Sequence, residues 1–165
     1  MKPKGEKRSV GQAFQRPLQQ PIEFASDGER DSLTGVLAPA RFLQFVASEL
    51  QISRRECRKI TLISIKCICK VERGGATLIE GLLLNFARVA TALMRRGDHC
   101  GRVAEDGFWF LIRGDRSSAD RFIARLFTEL DETDWSTESI EIDEADDMKN
   151  LLRKMDLIHF TKEAN

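Results

Sequence analysis

Gly101-Arg102-Val103-Ala104-Glu105-Asp106-Gly107-Phe108-Trp109-Phe110-Leu111-Ile112 is the stretch that decides the fold. A polar corner, Ala104 to Gly107, separates a short strand pattern from an unbroken apolar run, which reads as a β-hairpin with a buried second strand. Working back, Leu78 to Arg95 carries Leu82, Phe86, Val89 and Leu93 on one stripe of a long helix. Gly97 stands where a C′ glycine would end it. Gly74-Gly75 breaks the chain ahead of that helix. Before the break, Ile60 to Cys69 is a β-branched run of strand length. Earlier still, Phe42, Phe45, Val46, Ala47 and Leu50 recur at helical spacing behind Pro39, which suits a first turn. Working forward, Ser117-Ser118 can cap a helix to about Leu130, with Phe122, Ile123, Leu126 and Phe127 inward. A weaker strand, Ser139 to Ile142, then leads into a helix from about Ala145 to Phe160. The order predicts an α/β (α+β) fold: a single central mixed β-sheet flanked by helices.

A length of 165 residues, 42% hydrophobic and 32% charged, predicts one domain. Residues 1–28, with Pro3, Pro17 and Pro21, read as a flexible tail and 29–165 as the domain. Lys plus Arg and Asp plus Glu number 26 each, so no net field draws nucleic acid or an anionic membrane, and neither is an expected partner. An anionic ligand would need a local cluster. The charge is uneven: Lys2, Lys4, Lys7 and Arg8 open the chain, while Asp131 to Asp147 is strongly acidic. No apolar run follows the basic N-terminus as in a signal peptide, and Leu82-Leu83-Leu84 is too short to span a bilayer. A cytoplasmic protein with reduced thiols is therefore expected. Cys67-x-Cys69 lies in a strand and lacks a second ligand pair, so it reads as structural rather than as a zinc site.

Five local patterns in this order resemble a GGDEF (diguanylate cyclase-like) domain. Asp31-Ser32-Leu33-Thr34-Gly35 resembles the D-x-L-T-G opening, followed by Phe42 in the next helix. The strand ending at Cys69 stands where the family has its metal-binding strand. Arg95-Arg96-Gly97-Asp98 matches the family's R-x-x-D motif. Arg102 to Phe108 resembles the R-Y-G-G-D-E-F hairpin, and Leu151 to Asp156 with Phe160 resembles the closing helix. The resemblance covers about residues 31–161 and implies a nucleotidyl-cyclase-like fold.

The same resemblance implies a loss of chemistry. Family members condense two GTP molecules into cyclic di-GMP with two divalent metals. Lys66 stands at the first metal-ligand position, Ile68 at the second aspartate, and Gly107 at the hairpin's last carboxylate. Asp106 alone remains, so neither a metal nor another cofactor is expected. The tip glycines are Ala104 and Glu105, and Phe108 keeps its place. The guanine-reading asparagine is missing, and Glu80 lies near its companion aspartate. The resemblance therefore implies a catalytically inactive signalling domain.

In the family the R-x-x-D motif is the I-site, which binds cyclic di-GMP. Arg95 and Asp98 are the candidate ligand residues, with Arg96, Arg121 and Arg125 as further arginines. A carboxylate can accept from guanine N1 and N2, and a guanidinium can reach O6, N7 or phosphate. The structural alternative is an arginine favouring a helix C-terminus and Asp98 capping a turn or pairing with Arg95 or Arg102. Three functions follow: a cyclic di-GMP receptor, a protein–protein or homodimerising module that binds no nucleotide, or a residual nucleotide-binding enzyme through Asp106 and Glu80, against which Lys66 and Gly107 stand. Trp109 reads as sheet packing. Trp135 suits either an exposed partner anchor or a cover on the core edge. His99 and His159 read as ordinary surface residues, and the stretch ahead of Asp31 is too short for a separate sensor domain.

Overall fold

Eight consecutive residues, Ile60–Cys67, alternate Leu62 toward one side and Ile63 and Ile65 toward the other, so the strand they form (β1) needs cover on both faces. The computed structural model describes residues 28–69, 75–143 and 145–160. Its elements are α1 (Pro39–Glu56), β1, α2 (Gly75–Leu93), β2 (His99–Ala104), β3 (Gly107–Arg113), α3 (Arg116–Glu129), a 3-10 turn (Glu132–Asp134), β4 (Trp135–Glu141) and α4 (Met148–Phe160). The expected tail lies, but for Gly28, outside the described residues.

The sheet runs β2-β3-β1-β4, and all three pairings are antiparallel. The expected mixed sheet is thus corrected. Helix α2 links β1 to β2, and α3 links β3 to β4, yet neither linked pair is adjacent. The two crossovers interleave, so each strand's neighbours run opposite to it. Phe86, Phe108, Phe110, Phe122, Leu126 and Trp135 fill the layer under α2 and α3. Phe42, Val46, Leu50, Trp109, Leu111, Leu151 and Met155 fill the layer under α1 and α4. Trp135 is therefore core: its ring lies 4.1 Å from that of Phe86.

Several boundaries move for local reasons. Helix α2 ends at Leu93, and Gly97 (φ 96°) belongs to the turn beyond rather than to its C′ position. The Asp98 carboxylate accepts from the Arg95 amide at 3.0 Å, a bond that replaces a further helical turn. Helix α3 is capped by Asp115, which accepts from the Ser118 amide, while Ser117 and Ser118 turn their hydroxyls back to the same carboxylate. Strand β4 begins four residues before Ser139 because Trp135 packs inward. Helix α4 begins at Met148, after Asp147 accepts from the Asn150 amide at 2.7 Å. Cys67 and Cys100 are buried, and burial pushes both thiols up in pKa, Cys100 strongly.

Among the described residues one helix, α2, is long and apolar enough to cross a membrane, with mean hydropathy 1.4. Here Leu83, Phe86 and Ala90 pack it against the sheet.

Candidate functional site

Two clefts gather the residues singled out from sequence. The first opens where α2 meets the hairpin and encloses about 610 Å³, between Leu33, Lys66, Cys67, Cys69, Ile79 and Glu80 on one side and Arg102, Ala104, Glu105 and Asp106 on the other. Lys66 is the seventh residue of β1 and pairs in register with Gly107. Its ammonium lies 3.5 Å from Asp106 Oδ2, and its side chain is only 19% exposed. Ala104 and Gly107 close the hairpin, and Glu105 forms the exposed tip with Asp106. An added Cβ on Gly107 would meet Ala104 at 3.5 Å, which is ordinary contact. Phe108 turns away from this cleft and stacks on Phe86 at 4.7 Å. Ile68 lies past the end of β1 and is 52% exposed.

Arg102 spans the hairpin. Its Nε donates to the Glu105 carbonyl at 3.2 Å, and its Nη1 lies 3.3 Å from Asp31 Oδ2. Asp31 also accepts from the Thr34 amide at 2.8 Å and hydroxyl at 2.6 Å. Burial pushes the Asp31 carboxyl up in pKa, but the two Thr34 bonds and Arg102 outweigh it and hold it below its ordinary value. The Asp of the D-S-L-T-G stretch thus ties the opening turn to the hairpin arginine.

The second cleft is a narrow corner of about 20 Å³ at the end of α2, lined by Arg95, Asp98, Arg113, Arg121 and Arg125 over Leu93, Ile112 and Phe122. Arg125 donates to the Leu93 carbonyl at 3.2 Å, and Arg121 donates to the Ser117 and Ser118 hydroxyls at 2.9 and 3.0 Å. Those bonds hold both guanidiniums at the corner that Arg95 also lines. Arg96 is exposed and does not line the corner. Asp98 accepts from two backbone amides, Arg95 at 3.0 Å and Arg113 at 3.1 Å, and pairs with neither Arg102 nor the Arg95 guanidinium.

Sequence reasoning missed Arg113 and its partner Glu49. Arg113 Nε donates to Glu49 Oε2 at 3.0 Å, and its Nη2 donates to Oε1. Glu49 is 4% exposed. The signal was present: position 49 falls three residues after Val46 on the buried stripe of α1, where a carboxylate requires a partner. His99 is half-buried and stacks on Phe45 at 4.1 Å, and burial lowers its pKa. The His159 side chain lies outside what is described.

No family model matches the sequence, and no curated protein matches it. Solved structures do resemble the fold. A microbial GGDEF domain shown in a novel interaction mode with cyclic di-GMP is 20% identical, with TM-score 0.68 over 77% of this chain and 85% of that one. The GGDEF domain of DgcB from Caulobacter crescentus, in complex with cyclic di-GMP, is 12% identical, with TM-score 0.70 over 84% and 93%. The diguanylate cyclase SiaD from Pseudomonas aeruginosa, in complex with its activator SiaC, is 18% identical, with TM-score 0.70 over 82% of this chain and 58% of SiaD. The chain therefore spans just over half of SiaD. At these identities the likeness is one of fold, and the chain has the GGDEF-domain fold.

Proposed function

We propose that this chain is a catalytically inactive, cytoplasmic GGDEF-fold signalling domain that binds cyclic di-GMP at the Arg95–Asp98 corner. The observation that carries the reading is the convergence of Arg95, Asp98, Arg121 and Arg125 on one cleft. Two arginines on α3 line the same corner as the R-x-x-D turn. Asp98 retains acceptor capacity, since a carboxylate has about four lone-pair sites and two are used by amides. Guanine N1 and N2 can donate to the remainder, while the guanidiniums take phosphate or stack on a base. Two of the GGDEF domains that resemble this fold are studied with cyclic di-GMP, which favours that ligand.

Inactivity rests on the first cleft. Its residues do not fit a pair of divalent cations. Lys66 places an ammonium against Asp106, and Gly107 offers no ligand. Among the described residues no three His, Cys, Asp or Glu side chains converge as a metal set. Glu105 and Glu80 add negative charge beside any bound phosphate.

Isothermal titration with cyclic di-GMP tests the reading, alongside the Arg95→Ala variant. Micromolar or tighter binding that vanishes in the variant supports it; absence of heat and of thermal stabilisation overturns it. Incubation with GTP and Mg²⁺ should yield no cyclic di-GMP.

A second reading, a protein-binding or homodimerising module, is favoured by a different observation. Leu78 and Leu84 are 42% and 45% exposed on α2, and Leu84 borders an open groove with Thr34, Gly35, Asn85 and Arg88. SiaD, which shares the fold, is seen with a protein activator. If no nucleotide binds, pull-down with the full chain and with Leu84→Glu tests this alternative.

A further inference from the structure

The Arg95–Asp98 turn is held more tightly than its two motif residues require. Asp98 Oδ2 accepts from the Arg95 amide and Oδ1 from the Arg113 amide, so one carboxylate joins the end of α2 to the end of β3. Between the motif residues, Gly97 adopts φ 96° with the Arg113 guanidinium lying against it. A Cβ there would stand 2.6 Å from Arg113 Cζ. Glycine is thus required twice, for its backbone conformation and for the space that the guanidinium fills.

Arg113 is itself fixed from below. Glu49 takes it in a two-pronged pair through Nε and Nη2. That pair raises the Arg113 pKa, with the Glu49 hydrogen bond as the leading cause. A planar guanidinium gripped at two points cannot swing away from Gly97. Helix α1 also meets the turn through the Phe45–His99 stack, one residue beyond Asp98. The buried side of α1 therefore braces a turn that lines one corner with Arg121 and Arg125.

We propose that Glu49 is a positioning residue for the Arg95–Asp98 site, acting through Arg113 and Gly97. Its claim on ligand affinity rests on the cyclic di-GMP reading, but its claim on the order of the turn does not. With the Arg113 guanidinium fixed against Gly97, the turn keeps one position, and so do the Asp98 carboxylate lone pairs left for a ligand. With Arg113 released, the turn loses its brace and Asp98 loses its orientation. A group that is preorganised in this way binds without first being ordered.

The test uses the full chain in four forms: wild type, Glu49→Gln, Gly97→Ala and Leu151→Ala. Glu49→Gln removes the charge that grips Arg113, and Gly97→Ala displaces the same guanidinium from above. Leu151→Ala is a stability control in α4, away from the site. Amide hydrogen exchange without ligand is read at Arg95, Asp98 and Arg113, followed by titration with cyclic di-GMP.

Exchange at those three amides should rise, and affinity should fall about tenfold or more, in Glu49→Gln and Gly97→Ala but not in Leu151→Ala. Unchanged exchange in both site variants overturns the proposal. So does an affinity loss no larger than that of Leu151→Ala, because an effect of stability alone would appear in all three. Should wild type bind no cyclic di-GMP, the receptor reading fails. The exchange arm then decides by itself whether Glu49 orders the turn. Should Glu49→Gln not fold, Gly97→Ala carries the same comparison.

Discussion

Replacing Asp98 by alanine removes two backbone hydrogen bonds before any ligand is considered. The Arg95 and Arg113 amides at 3.0 and 3.1 Å would lose a charged acceptor. A hydrogen bond to a charged group contributes roughly 1.5–3 kcal/mol when well shielded. Both bonds are exposed to solvent, and water replaces part of the loss, so about 1–2 kcal/mol is expected for the pair. For a chain of this size that lowers Tm by about 3–7 °C. Arg95→Ala is different: among the described residues the Arg95 side chain makes no hydrogen bond or ion pair, and the change should cost under about 0.5 kcal/mol. Urea unfolding followed by tryptophan fluorescence measures both, since Trp109 and Trp135 are buried. Equal stability of Asp98→Ala and wild type would refute the bracing role of Asp98. A large loss in Arg95→Ala would refute the claim that its side chain is uncommitted. The practical consequence is that Arg95→Ala reports ligand binding cleanly, whereas Asp98→Ala mixes binding with folding.

Gly101→Ala should destabilise by ~1–3 kcal/mol in the same unfolding assay, because the new Cβ would lie 2.5 Å from Phe42 Cβ in a filled layer. The stability difference between wild type and Asp31→Asn should depend on pH. The folded Asp31 pKa is below its ordinary 3.8, so its contribution is full above the unfolded value and is lost as pH falls through the folded one. The gap should be level above about pH 5 and shrink below about pH 4, and a gap that widens on acidification would contradict this sign. Gly107→Glu meets no clash at its Cβ, whose nearest neighbour lies at 3.5 Å. Combined with Lys66→Asp, it should gain a Mg²⁺-dependent rise in stability of about 1.4 kcal/mol at ten times Kd, while wild type shows none in thermal melts.

The elements were legible because apolar period and strand length are local properties. The Phe108 to Ile112 run and the helical stripe through Leu82, Phe86 and Val89 needed no partner to be read. Strand pairing is not local. Alternating helices and strands suit both adjacent and interleaved crossovers, and only packing selects the antiparallel sheet. Caps were half legible: two serines marked the start of α3, but the acceptor is Asp115, to which both serines donate. Trp135 sits in an acidic stretch, and composition hid its contact with Phe86. In the corner, Arg95 and Asp98 were visible as a motif, whereas Arg113 and Glu49 are 64 residues apart and meet only through the sheet.

Charge placement links the two clefts more closely than either does alone. The chain is neutral in sum, so its surface divides by location rather than by total. Around the hairpin, Glu80, Glu105 and Asp106 stand against Lys66 and Arg102, and both cations are already paired, with Asp106 and Asp31. At the far end of α2, four arginines line a corner with Asp98, and among the described residues only Arg113 of the four pairs with a buried carboxylate. Among the described residues, arginines therefore gather at the Arg95–Asp98 corner and carboxylates at the hairpin. Helix α2 runs between the two, with its N-terminal turns beside the first cleft and its C-terminus at the second. The helix end itself is the negative pole, so the arginines also stabilise its last carbonyls, as Arg125 does at Leu93. An anionic ligand must compete with that use. Arg95 is the arginine in the corner least committed to it, which is why the receptor reading stands or falls on that residue.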